Sequence, residues 1–267
     1  MNIIDFHTHF FPADLAPRAI KKLIDNAAPA ITMKNYTDGT VQGLMESMKK
    51  SGIDLSVTLG VATKPSQVST INKGCAETEY PGIIQFGTLH PDLEDFEAEI
   101  DFLVGSGIKG VKMHPEYQDF YIDDKKYYPM YEKLASSGLI IVLHSGKDPG
   151  PFTNDHVLPP ALRRVHADFP ALKIVAAHMG GWKVWDEVFD VLAGIDIFFD
   201  TSAIYRLLPP EMFLQICRKH GCEKIVFGSD SPWYDQSESV EWMKRSGLSD
   251  AELEAVFEKN ARGLLYG

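Results

Sequence analysis

The sequence predicts an α/β fold, a (β/α)8 TIM barrel, on three observations. Eight short apolar runs rich in Val and Ile alternate with amphipathic or charged stretches. Nearly continuous apolar runs are what strands buried on both faces require, as in a parallel sheet. The length of 267 residues suits one such domain, since barrels of this kind use about 250. Finally, the first run leads into Asp5-Phe6-His7-Thr8-His9, where a dinucleotide-binding sheet would carry a glycine-rich turn.

The runs are, in order, Asn2–Phe6, Leu55–Val61, Ile83–Thr88, Gly107–Met113, Leu139–Leu143, Lys173–Ala177, Asp196–Asp200 and Lys224–Gly228. Helical signals lie between them. Leu44 and Met48 repeat at helical spacing before Gly52, and Phe96, Ile100, Leu103 and Val104 are expected on one face before Gly105 and Gly107. Pro159-Pro160 and Pro209-Pro210 read as helix starts, where proline's missing N–H costs nothing. Ser249 and Glu252 have capping-box spacing ahead of Leu253, Val256 and Phe257. Two weakly patterned stretches, Phe11–Asp38 and Lys147–Leu158, are expected to be loop insertions that distort the barrel and lie over its C-terminal face. No linker or low-complexity tract divides residues 1–267, which read as a single domain.

Composition narrows the partners. The formal net charge of −11 argues against nucleic acid and anionic membranes, whose binding needs clustered Lys and Arg. A small-molecule substrate is expected instead, and a homodimer is the default assembly. No window reaches the ~18 uninterrupted apolar residues of a membrane span, and the N-terminus carries no targeting pattern, so a cytoplasmic protein is expected. Cys75, Cys217 and Cys222 complete no zinc-finger pattern and read as free thiols.

The histidines carry the strongest functional signal. Six of the nine (His7, His9, His90, His114, His144 and His178) fall at or just past the C-terminal end of a predicted strand. In a barrel those ends converge on the face that carries the active site. Side chains at i and i+2 of a strand point the same way, so His7 and His9 can reach one ion. His144 after strand five and Asp230 after strand eight add a nitrogen and an oxygen. Such a mixed shell suits a divalent metal, Zn(II) first, with Mn(II), Fe(II) or Co(II) as alternatives. Lys112 and His114 share a strand face and are expected to point into the catalytic end. His90 reads equally as a pocket wall or a packed loop residue, and Trp182, Trp185, Trp233 and Tyr234 as pocket lining or packing. His156, His166 and His220 read as structural or solvated. Phe10, Phe11, Tyr117, Phe152, Tyr205 and Trp233 suggest a partly aromatic pocket.

At these residues the chain resembles the amidohydrolase superfamily, particularly the amidohydrolase-2 branch that includes aminocarboxymuconate-semialdehyde decarboxylase-like enzymes. The resemblance spans Asp5-Phe6-His7-Thr8-His9, Gly110-Val111-Lys112-Met113-His114-Pro115, Val142-Leu143-His144-Ser145-Gly146, Ala177-His178-Met179-Gly180-Gly181, Gly228-Ser229-Asp230-Ser231-Pro232 and the closing Asn260-Ala261-Arg262. It implies that His7, His9, His144 and Asp230 hold a catalytic metal, and that His178 acts as general acid/base or supports a second metal. Binuclear relatives bridge two ions with a carboxylated lysine or a glutamate from strand four. Lys112 is positioned for that role, though one metal is the favoured reading.

The leading functional expectation is hydrolysis of a small amide, ester or lactone. The metal would lower the pKa of a bound water towards about 7. Asp230 would then accept and relay its proton, and His178 would serve the developing oxyanion. The alternative is non-oxidative decarboxylation of an unsaturated or aromatic carboxylic acid, with His178 or Asp230 protonating the carbon. That chemistry needs a cationic clamp, for which Lys112, Arg163 and Arg206 are the candidates. Substrate contacts are expected from His114, Lys112, His90 and Trp233. Two further readings are weaker. TatD-like phosphoester hydrolysis would want a glutamate where Lys112 and His114 stand, and a catalytically inactive metal-binding barrel would lack a ligand.

Overall fold

In the structure, a computed structural model that describes residues 1–267, eight parallel strands pair in the order in which they occur in the chain. They are β1 (Ile4–Thr8), β2 (Leu55–Leu59), β3 (Ile83–Thr88), β4 (Gly110–Met113), β5 (Ile140–Leu143), β6 (Lys173–Ala176), β7 (Phe198–Asp200) and β8 (Ile225–Val226). Each overlaps a predicted run. β1 extends further towards His9 than the apolar pattern suggests, and β7 and β8 are shorter. The sheet closes through backbone bonds between the two ends of the chain. Phe6 N–H donates to the Phe227 carbonyl at 2.7 Å, His9 N–H to Ser231 at 2.7 Å, and Asp230 N–H to His7 at 2.8 Å. The fold is a TIM barrel, with helices between the strands.

Two apolar clusters hold it together. Ile4, Phe6, Val57, Leu59, Phe86, Ile140, Val142, Val175 and Val226 fill the barrel interior. Leu264 and Leu265 of the last helix, Asn260–Tyr266, pack against this set. A larger cluster of 49 residues packs the outer strand faces against the helices. Each fully buried Val, Leu or Ile side chain contributes about 1.5–3 kcal/mol, so this framework holds the strand ends in place.

The helix signals map onto the structure with one exception. The helix Val41–Ser51 is capped by Thr40 Oγ1, which accepts from Gly43 N–H at 3.1 Å, and ends where Gly52 adopts φ 69°. Ser249 and Glu252 form the predicted capping box. In the helix Phe96–Gly105, Ile100 and Leu103 are buried, but Val104 is 45% exposed. At about 100° per residue Val104 lies ~80° from Phe96, on the rim of the apolar stripe.

Both insertions reach the C-terminal face, but the first is not the loop expected: Ala16–Ala27 forms a helix that buries Ala16, Ile20 and Ala27. Within Phe11–Asp38, Phe11 N–H bonds the Gly39 carbonyl at 2.8 Å and Tyr36 N–H bonds the Pro232 carbonyl at 2.7 Å, pinning this segment to the loop after β8. The second insertion is anchored where Gly146 N–H meets the Val157 carbonyl at 3.0 Å. Gly146 has φ 87°, and a Cβ there would stand 2.2 Å from the Trp182 nitrogen, so only glycine lets the two loops approach. No helix is long and apolar enough to cross a membrane. Cys75, Cys217 and Cys222 are free thiols.

Candidate active site and metal centre

His7 and His9 reach one place by an unexpected route. Ile4 and Phe6 both point into the barrel, so strict alternation would turn His7 away from it. The register of β1 against β2 shifts between Asp5 and Thr8, and the two imidazole rings end 5.1 Å apart, edge to face. Each ring is oriented by its Nδ1. His7 Nδ1–H donates to Asp200 Oδ2 at 2.7 Å, and His9 Nδ1–H to the Leu59 carbonyl at 2.7 Å. That leaves each Nε2 facing Asp230 Oδ1, at 3.6 Å and 3.2 Å.

The electrostatics keep this set in ligand form. Burial, with Lys112 nearby, pushes the His7 imidazole down to about 4, so it is neutral at physiological pH. Burial opposes ionisation of Asp230, but contacts with His9, His7 and His178 hold its carboxyl below the ordinary value. Asp200 is likewise held low, against full burial, by His7, His178 and Ser202. Asp5, which precedes the histidine pair, faces elsewhere. It accepts from Ser229 N–H at 2.9 Å and Gln236 Nε2 at 2.8 Å, tying β1 to the segment after β8.

His178 follows β6 and holds the left-handed φ of 60°, as Asp230 does at 69°. Non-glycine residues pay roughly 1–2 kcal/mol for that conformation, so the surrounding fold enforces both positions. His178 N–H donates to Asp200 Oδ1 at 3.0 Å, and Trp185 Nε1–H donates to the His178 carbonyl at 3.0 Å. Its Nδ1 lies 2.8 Å from Ser202 Oγ, and its Nε2 lies 3.1 Å from His144 Nδ1. Asp200 thus touches His7, His178 and Ser202 together.

His144 stands beyond His178, outside the group formed by His7, His9 and Asp230. A second group gathers around it: His114, His144 and Asp148 bring donor atoms within 4.8 Å of one another. The His114 and His144 rings stack at 4.2 Å. Their Nε2 atoms lie 3.5 Å and 3.7 Å from Asp148 Oδ2, and the His144 Nε2 is 3.1 Å from the Lys147 carbonyl. Glu116 stands beside them, fully buried. Burial pushes the Glu116 carboxyl up to about 8 and that of Asp148 up to about 6.

Lys112 is buried at the end of β4 and makes no ion pair. Burial lowers its ammonium to about 8, while Asp200, Asp230, Asp148 and Glu116 pull it upward. The other two candidate clamps lie elsewhere. Arg163 is exposed and bonds the Val191 carbonyl, and Arg206 is exposed and paired with Glu238. His90 is buried, with Nδ1 accepting from Asp92 N–H at 3.2 Å, which makes it a turn residue. Trp182 extends the β5–β6 pairing, its N–H bonding the Ser145 carbonyl at 2.8 Å. Trp233 is half-buried, and its N–H bonds the Asp230 carbonyl at 2.9 Å. Tyr117 packs edge-on to His114 and Phe152, giving one aromatic wall. Tyr205 meets Tyr234, and Phe10 meets Tyr80.

Sequence reasoning missed Asp200, Ser202, Glu116 and Asp148. Asp200 was within reach, because it ends a predicted strand as the histidines do. Asp148 lies in the Lys147–Leu158 insertion, where no periodicity marks it.

The donor set of His7, His9 and Asp230 suits a divalent cation. With Nδ1 on the Leu59 carbonyl, His9 brings its Nε2 to 3.2 Å from the Asp230 carboxylate. His7 Nε2 stands 3.6 Å from the same oxygen, so two imidazole nitrogens and a carboxylate oxygen converge closely enough to share one ion. Nδ1 bonds that fix the tautomer of ligand histidines are the usual support of such sites.

Known proteins agree with this architecture. The family model described as Amidohydrolase matches residues 4–266. This chain belongs to the amidohydrolase family. Membership makes it an enzyme of hydrolase or decarboxylase type. Among curated relatives, the decarboxylase orsB of Emericella nidulans is 29% identical over 140 residues, 41% of this amidohydrolase and 39% of that protein. A dihydroorotase of Mycosarcoma maydis is 32% identical over 111 residues, 37% of this chain and 28% of that one. The chain therefore spans well under half the length of either curated relative. Among solved structures, an uncharacterised TIM-barrel protein of Bordetella bronchiseptica superposes with a TM-score of 0.78 at 20% identity, covering 99% of this chain and 98% of its own. A 5-carboxyvanillate decarboxylase of Novosphingobium aromaticivorans, complexed with manganese, gives 0.77 at 14% identity, covering 99% and 96%. A dihydroxybenzoic acid decarboxylase of Polaromonas sp. JS666, with bound manganese and 2-nitroresorcinol, gives 0.74 at 18%, covering 99% and 97%. At these identities the likeness concerns the fold.

Proposed function

We propose that this amidohydrolase is a metal-dependent, non-oxidative decarboxylase of an unsaturated or aromatic carboxylic acid. Of the two reactions considered from sequence, decarboxylation fits better than hydrolysis of an amide, ester or lactone. The observation that carries the reading is Lys112, an ammonium buried at the barrel mouth with no ion-pair partner. A buried cation is costly unless something anionic pairs with it, and a substrate carboxylate is the missing partner. The decarboxylases among the superposed structures support the same choice.

The cation belongs among His7 Nε2, His9 Nε2 and Asp230 Oδ1, with Mn(II) or Zn(II) the ions this nitrogen and oxygen set suits. When bound, it supplies charge stabilisation to the oxygens of the substrate. His144, the fourth ligand implied by the family resemblance, borders this set through His178. Lys112 orients the carboxylate. The bond between the carboxyl carbon and its neighbour breaks, CO2 leaves, and the electron pair stays on the ring or alkene carbon. A proton then fills that carbon. The donors are the two expected from sequence, His178 and Asp230; burial holds the His178 imidazole below its ordinary value, and histidine contacts do the same for the Asp230 carboxyl.

The test is a panel of hydroxylated benzoic and unsaturated acids labelled with 13C in the carboxyl group, run in 18O water with Mn(II) or Zn(II). Release of 13CO2 with no 18O in the organic product supports decarboxylation. Incorporation of 18O into product from an ester, amide or lactone panel, with no 13CO2 from the acids, returns the assignment to hydrolysis.

A further inference from the structure

Cys217 and Cys222 meet where the helix Pro210–His220 stops. Gly221 N–H donates to the Cys217 carbonyl at 3.0 Å, and Gly221 takes a φ of 97°. A glycine cap of this kind turns the chain so that the residue after the glycine packs on the last helical turn. Here the residue after the glycine is Cys222, and the residue it reaches is Cys217. The two side chains are hydrogen-bonded, the Cys217 thiol donating to the Cys222 sulfur.

That contact makes the two sulfurs unequal. The bond, together with burial, holds the Cys217 thiol well above its ordinary value. The same bond pulls Cys222 below its ordinary value, against burial and the Glu252 carboxylate. Exposure divides the pair in the same sense, at 1% for Cys217 and 8% for Cys222. Cys222 Sγ lies 3.7 Å from Glu252 Oε1, just under the surface ion pair of Arg218 and Glu252. The third thiol provides a contrast. Cys75 Sγ bonds only the Phe86 carbonyl, at 3.4 Å, and burial pushes it up to about 11. A sulfur that ionises more readily, with a second thiol against it, is the arrangement that converts an oxidant into a disulfide.

We propose that Cys217 and Cys222 form a redox pair, at which a hydroperoxide closes an intramolecular disulfide. Cys222 is the attacking sulfur and Cys217 the resolving one. In the first step Cys222 sulfur bonds one peroxide oxygen and the O–O bond breaks. The departing hydroxide takes the Cys222 proton, giving a sulfenic acid and one water from hydrogen peroxide. Cys217 sulfur then attacks Cys222 sulfur and the S–O bond breaks. The second hydroxide takes the Cys217 proton and leaves as water. Two thiols are oxidised and one peroxide is reduced, with no further reactant. The bridge joins the helix end to the turn Cys222–Lys224, which opens β8, and it uses no residue of the cation site.

The test exposes wild type, Cys217→Ser and Cys222→Ser, as purified, to equimolar hydrogen peroxide. The two variants also receive dimedone, which traps sulfenic acid. Remaining thiols are alkylated after denaturation, and tryptic mass mapping reads each cysteine. Wild type should lose two of its three free thiols, with Cys217 and Cys222 joined within one chain and restored by dithiothreitol. Cys217→Ser should carry dimedone on Cys222, and Cys222→Ser should leave Cys217 unlabelled. Three intact thiols in wild type, prior oxidation of Cys75, or a link between two chains overturns the proposal. A label on Cys217 in Cys222→Ser, with none on Cys222 in Cys217→Ser, overturns the assigned roles. Circular dichroism checks both variants, and the wild-type link decides alone if either fails to fold.

Discussion

His7 Nδ1 and Asp200 Oδ2 lie 2.7 Å apart, joining the first strand of the barrel to the seventh. The contact fixes which nitrogen of His7 carries the proton, and so which one is free to bind a cation. Replacing Asp200 with Asn removes the charge but keeps the shape. Cation affinity is expected to fall about 10- to 100-fold, the usual effect of losing such a supporting carboxylate. Competition with a fluorescent chelator measures it, and an unchanged affinity would detach Asp200 from the site's function.

Asp230 is the only acidic residue that faces both His7 and His9. Asp230→Asn should retain part of the cation binding and lose about 100- to 10,000-fold in turnover, the range typical of a lost acid–base group. Parallel metal counts and rate measurements separate the two effects. Full activity in this variant would remove Asp230 from the reaction.

Lys112→Met preserves the length of a fully buried side chain and deletes its charge. A hydrogen bond to a charged group is worth about 1.5–3 kcal/mol, so kcat/KM for an acid substrate should drop roughly 10- to 100-fold. Cation uptake should not change. Unaltered kinetics would argue that some other group holds the carboxylate.

Gly228 has no room for a side chain. A Cβ there would stand 2.9 Å from the Cβ of His7. Gly228→Ala should therefore displace His7 and weaken cation binding, and a chelator competition matching wild type would show that the strand gives way instead.

His220 tests stability away from the site. Its ring stacks on Phe199 at 3.8 Å, its Nδ1 accepts from Gly194 N–H at 3.2 Å, and its Nε2–H donates to the Ile197 carbonyl at 3.0 Å. Burial lowers its pKa from 6.5 to about 4 in the folded state. Between those values the unfolded chain binds more protons, so this stabilisation is complete above 6.5 and is lost as pH falls towards 4. The loss reaches on the order of 3 kcal/mol. Urea titrations at pH 7 and pH 4.5 should show a smaller pH-dependent decline for His220→Gln than for wild type. Identical declines would mean that this histidine does not govern acid sensitivity.

The eight strands were legible because strands buried on both faces must be apolar along their whole length, and that pattern survives in one dimension. So was the convergence of His7, His9 and Asp230, since barrel closure brings the chain's two ends together. Alternation alone was the wrong reason for His7: a register slip between Asp5 and Thr8 turns its ring into the site. Asp5 looked like part of the histidine motif, yet it serves barrel closure through Ser229 and Gln236. The sequence by itself determined the barrel, its catalytic end and the residue types gathered there. Only the tertiary structure decided which donors share a point in space. That turns on ring orientation and loop paths: Asp200 sets the tautomer of His7, and an insertion without periodicity brings Asp148 to His114. Contacts between side chains on separate loops have no spacing along the chain, so no sequence pattern encodes them.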